Sequence, residues 1–122
     1  MKQFAIWEVG EEEYKLKLKT SAVCSLEEKL NMSLMDVIGT VRTMPSLSIM
    51  LTITHAAMKD WNAGIKRSDV DNIFDKYIEG GGSQLEFFTK VFMDIYKVSG
   101  FFSQTAAQKM EEQQEKAQEM LE

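Results

Sequence analysis

Histidine, cysteine and proline each occur once in these 122 residues, and the single copies close off most site chemistry. A lone cysteine, Cys24, cannot form an internal disulfide, which fits a reducing compartment and a fold held by its core alone. With one cysteine and one histidine there are too few soft ligands for a zinc site. No serine or cysteine can be set beside His55 together with an acid by sequence spacing, so His55 is read as a solvated surface histidine. Cys24, with no second thiol and no basic cluster near it, is read as a buried, inert thiol. No enzyme activity, metal or cofactor is expected. Long apolar runs are missing too. The opening residues MKQFAIWEVG are broken by Glu8 with no cleavage site after them, so neither a membrane span nor a signal peptide is expected and the chain should stay in the cytoplasm. Positive charge is short as well: 14 Lys and Arg against 19 Asp and Glu leave a net −5, the wrong sign for a nucleic-acid footprint. The densest basic cluster, Lys15, Lys17 and Lys19, faces Glu11, Glu12 and Glu13 across a turn.

Two motif-like stretches fail on inspection. Residues 58–71 read as helix, loop and helix, but setting Gly64 at the sixth position of a calcium loop puts Lys59, Trp61, Ala63 and Val70 at ligand positions, and none is a carboxylate. The triglycine Gly80, Gly81, Gly82 follows a helix and lacks a trailing Lys-Ser/Thr, so it is no phosphate loop.

What the chain does have is helical periodicity around one apolar stretch. In residues 45–61, PSLSIMLTITHAAMKDW, the polar side chains Ser48, Thr52, His55 and Lys59 fall at offsets of four, three and four and form a single stripe. The rest of that circumference is mostly apolar, which predicts a helix wrapped by other elements. Pro45 stops whatever precedes it, and Ser46 can cap the helix. A hydrophobic fraction of 44% and a charged fraction of 27% over this length support one domain with one core. The expected fold is mainly α: a small helical domain around one central buried helix, with an N-terminal β-hairpin and a charged C-terminal helical tail.

Before the central helix, Tyr14, Leu16 and Leu18 alternate with Lys15, Lys17 and Lys19 after a turn at residues 10–13, predicting a hairpin over residues 3–19 with one face on the core. An isolated hairpin is marginal in water, so it must lie on helices or pair its edge with another copy, and the outer lysines would discourage such pairing. A helix over about 20–31 carries Ala22, Val23, Leu26 and Leu30 on one face, capped by Thr20 or Ser21. A short segment at 33–38 leads into a connector at 40–44. Beyond the central helix (about 46–62), Ser68 is expected to cap a helix over 68–79 that buries Val70, Ile73, Phe74, Tyr77 and Ile78. Ser83 and Glu86 open another over 83–98, expected to bury Leu85, Phe88, Val91, Phe92, Ile95 and Val98 and to expose Glu86, Lys90, Asp94 and Lys97. The globular part is thus residues 1–102. Residues 103–122 hold five Glu, five Gln and two Lys and read as a helical or frayed acidic tail with a weak seam through Ala107, Met110, Gln114, Ala117 and Leu121. Phe101, Phe102, Met110, Ala117 and Leu121 are the candidate partner-binding residues, with Phe101 and Phe102 at the root of the tail reading first as core. Nine methionines suit either irregular core packing or an adaptable binding surface.

The ordered series Y-K-L-K-L-K-T-S-A, S-L-E-E-K-L-N, P-S-L-S-I-M-L-T-I-T-H-A-A-M, N-A-G-I, S-D-V-D-N-I-F-D-K-Y-I-E-G-G-G-S and V-S-G-F-F resembles the tail assembly chaperones of long-tailed phages and prophages of Gram-positive bacteria over roughly residues 13–102. The resemblance implies a small acidic helical protein in the host cytoplasm. It would bind the long tape measure protein, keep it soluble, and give way to tail tube subunits that polymerise around it. It would be absent from the finished virion. In many relatives a frameshifted longer form recruits tube protein, and this chain looks like the short form. The resemblance carries no catalytic residue. Self-association through the hairpin edge or the tail is expected, and the alternative role is a tail completion or connector protein retained in the virion.

Overall fold

The alternation near the N-terminus folds as a hairpin. Strand β1 (Ala5–Val9) pairs antiparallel with β2 (Glu12–Leu16), Ala5 opposite Leu16 and Val9 opposite Glu12. Gly10 turns the corner at φ 61, a conformation that costs glycine least. The computed structural model describes residues 2–39 and 44–121, without the side chains of residues 104, 107, 111, 114, 117, 118 and 121. Most of the expected connector at 40–44 therefore lies outside the described residues.

Helices follow: α1 (Thr20–Leu30), α2 (Leu34–Gly39), α3 (Leu47–Met58), α4 (Arg67–Glu79), α5 (Gln84–Glu86), α6 (Met93–Val98) and α7 (Gln104–Leu121). A π-helical stretch (Phe87–Phe92) joins α5 to α6 without a break. Capping departs from expectation at two starts. The N-caps of α1 and α4 are Lys19 and Lys66, one or two residues before the expected hydroxyls. At α4 the reason is local: the Asp69 carboxylate accepts the Lys66 backbone N–H at 2.8 Å, which ties the first turn without a serine. Ser46 and Ser83 cap as expected, accepting from Ile49 and Glu86 backbone N–H groups.

Helix α3 meets β2, α1, α4 and the π-helical stretch, and its Met50, Leu51, Ile53, Ala56, Ala57 and Met58 are buried. Its polar stripe is the outward strip. His55 on that stripe is half-buried, not fully solvated, and donates from Nε2 to the Ile65 carbonyl at 3.0 Å, tying the loop after α3 back to the helix.

The largest correction lies in residues 84–98. Leu85, expected inside, is 59% exposed, while Phe87, Tyr96 and Met93 are buried. In a π-helix each turn takes in one more residue, so Phe87 and Phe92, five apart, come to one face, and both are fully buried. Thr89 donates its hydroxyl toward the Leu85 and Glu86 carbonyls, a side-chain bond that accompanies the altered ladder. Residues 91–98 are buried without exception, so α6 shares the centre with α3. Asp94 and Lys97, expected on the surface, are both 7% exposed. Asp94 accepts from Lys2 Nζ at 2.8 Å, which brings the N-terminal segment over α6. Ile78, expected inside, is exposed at the end of α4, and Cys24, expected buried, is exposed on α1.

Candidate partner-binding surface

Ser103 accepts the Ala106 backbone N–H at 3.2 Å and starts α7, whose eighteen residues span about 27 Å at 1.5 Å per residue. Few β-branched residues and many Glu, Gln and Lys favour this helix. The described apolar side chains of α7 divide. Met110 is half-buried against the core cluster, while Met120 is 87% exposed. At its root Phe101 and Phe102 are half-buried on the same core, and the Phe101 ring lies 4.7 Å from that of Tyr96. Phe101, Phe102 and Met110 thus each pack against that core, Phe101 directly on Tyr96. Ala117 and Leu121 lie on α7, with side chains outside the described residues.

The methionines likewise take both parts. Met50, Met58 and Met93 fill the core, and Met35 and Met120 are exposed. Leu85 and Ile78, exposed near the triglycine, were missed because both match a straight helical period on the page of the sequence. Among the described residues no group of three or more His, Cys, Asp or Glu could hold a metal ion, and no helix is long and apolar enough to cross a membrane.

The rejected calcium-like loop turns out to be a clamp. Trp61 donates its indole N–H to the Lys17 carbonyl at 2.8 Å, and Asn62 donates its amide to the Lys15 carbonyl at 2.9 Å. Lys17 in turn donates its backbone N–H to the Ala57 carbonyl at 3.0 Å. The outer edge of β2 is therefore closed by the end of α3.

Behind the surface, Tyr96 is fully buried and donates its hydroxyl to the Leu34 carbonyl at 2.8 Å, pinning α2 to α6. Burial first, and then the charge of Glu27, lift its phenol well above the ordinary value of 10.0. Burial also raises the phenols of Tyr14 and Tyr77. The folded phenol holds its proton where the unfolded one releases it, so its contribution is complete below pH 10 and drains as pH climbs toward the folded value. Across that window each pH unit costs about 1.4 kcal/mol for one phenol. Urea titrations from pH 7 to 11 should show this alkaline fall. Tyr96→Phe should lower the neutral plateau by about 1–3 kcal/mol, because the Leu34 carbonyl loses its donor, and flatten the fall. An unchanged alkaline slope in that variant would remove Tyr96 from the account.

These elements define a class first: a small, mainly α domain with an N-terminal two-stranded hairpin. The chain belongs to a family of unknown function, DUF6096, whose pattern matches residues 2–121. No curated protein and no solved structure matches it.

Proposed function

We propose that this protein is a phage tail assembly chaperone that binds the tape measure protein in the host cytoplasm, keeps it soluble, and yields it to tail tube subunits. Beside the motif resemblance, one observation supports the reading: α7 packs on the core at Met110 while Met120 is mostly in solvent, so an amphipathic helix stands partly free of its own domain. Such a helix suits a long helical client with an apolar side, packed helix on helix. Methionine accommodates contacts of varying geometry, and low affinity per copy suffices when several copies line one client. The domain acts by shielding, with no bond-making step, and is absent from the finished virion.

Co-expression with a tape measure protein should keep that client in the soluble fraction. The Met120→Glu/Leu121→Glu variant, with the helical signal of the domain unchanged by circular dichroism, should lose most of that effect. A client that precipitates equally with and without the wild-type chain would end the proposal, as would the chain's presence in purified virions at stoichiometric amounts.

A further inference from the structure

The clamp on β2 decides which side of the hairpin is open. In an antiparallel ladder a residue's N–H and C=O point to the same side, and the side alternates along the strand. Lys15 and Lys17 turn their backbone groups to Asn62, Trp61 and Ala57, away from β1. Leu16 and Tyr14 therefore bond to their opposites Ala5 and Trp7, and the backbone groups of Phe4, Ile6 and Glu8 point outward from β1. Among the described residues no hydrogen bond from outside the hairpin reaches those groups. Alongside Trp7, Glu8, Val9 and Gly10 runs an open cleft of about 450 Å³ whose other wall is Lys76, Tyr77, the triglycine, Glu86 and Lys90. The lysines that commonly guard an edge sit on β2, whose edge is already closed; β1 presents Ile6, 40% exposed.

The outer face of the hairpin is divided by charge. At one end Lys15 and Lys17 lie 5.4 and 5.8 Å from the Phe4 ring centroid. At the other end Glu8 stands opposite Glu13, a like-charged pair that has no cation within the hairpin row.

We propose that β1 is the interface for a second copy of this chain, the two β1 strands pairing antiparallel about a two-fold axis at Ile6 to make one four-stranded sheet. With Ile6 facing the partner's Ile6, Phe4 faces the partner's Glu8. The outer face then carries Lys17, Phe4, the partner's Glu8 and the partner's Glu13 in one row, and the same row in reverse on the other side. Each glutamate pair gains the lysine end that its own hairpin cannot supply. The sheet also rises from two strands to four, past the size at which strands are marginal. The pairing is independent of the client: a monomer that still keeps a tape measure protein soluble would sink the pairing alone.

Sedimentation equilibrium of the full chain from micromolar to millimolar concentration should show a monomer–dimer equilibrium. Glu8→Lys/Glu13→Lys and Lys15→Glu/Lys17→Glu should each weaken it by about tenfold or more, because every row becomes single-signed. Mixing the two variants should restore a dimer, since both rows are then complementary. In the wild type, exchange of the Ile6 and Glu8 amides should slow as concentration rises. A chain that stays monomeric at millimolar concentration, a dimer indifferent to both reversals, or Ile6 and Glu8 amides indifferent to concentration would each overturn the interface.

Discussion

Trp7→Ala is expected to remove about 3–5 kcal/mol of stability, a large part of the roughly 5–15 kcal/mol that holds a domain together. Trp7 is 1% exposed, and its ring sits 5.0 Å from Phe87, 5.8 Å from Tyr77 and 6.2 Å from Tyr14. It thereby joins β1 to α4 and to the π-helical stretch. Without it the hairpin loses its ring contacts to α4 and the π-helical stretch and is left with the smaller buried side chains Ala5, Val9 and Leu16 and the clamp on β2; two strands alone are marginal. Trp7→Phe should cost far less, about 1 kcal/mol. The smaller ring gives up packing, but it also removes a buried indole N–H that has no acceptor among the described residues, a burden of about 1–3 kcal/mol. Urea unfolding of both variants checks the pair. If alanine costs no more than phenylalanine, the ring cluster does not hold the hairpin.

Gly82→Ala should cost about 1–3 kcal/mol, by overpacking and not by backbone strain. A Cβ at Gly82 would stand 2.4 Å from Tyr77 Cζ, with Cε2 at 2.5 Å and Cδ2 at 2.7 Å. The ring cannot swing freely, because it packs at the same time on Trp7, Phe74 and Phe87. Gly80→Ala is the control: its Cβ would meet the Lys76 carbonyl at an ordinary 3.4 Å, so the change should stay within about 0.5 kcal/mol. In a Tyr77→Ala background Gly82→Ala should become nearly silent, a coupling of about 1–3 kcal/mol between contacting sites. Equal costs in both backgrounds would show that the ring is not what the glycine makes room for.

Why the triglycine is glycine was not legible in the sequence, where it reads as a flexible break. Its middle member does need a glycine backbone, at φ 103, but Gly82 is small because of a ring five residues earlier. The hairpin, the helices around 20–30, 47–58, 67–79 and 104–121, and the serine caps at 46 and 83 were legible, because alternation, helical spacing and capping are local rules. The run at 84–98 was misread for a local reason with a distant cause. Its apolar residues satisfy a straight helical period over Leu85, Phe88, Phe92 and Ile95, yet Phe87 and Tyr96 have more to gain from the ring cluster and from Leu34. The chain takes the π-turn, and Leu85 is left in solvent.

The candidate surface shows the same division. Met110 was picked out by the three-and-four spacing of the tail and Phe101 and Phe102 by their place at its root, and in the structure each is half-buried against the core. Nothing in residues 58–65 announced a clamp, since Trp61 and Asn62 reach carbonyls 44 and 47 positions away.

By itself the sequence determined the fold class, one core, the acidic surface and the positions of most elements, since these depend on spacing and composition within a turn or two of chain. The tertiary structure alone decided that α6 shares the centre with α3, that Asp94 and Lys97 are inside, and that β2 is closed while β1 stays open. Those outcomes depend on groups far apart in sequence competing for the same buried volume and the same backbone hydrogen bonds, and no local period carries that information.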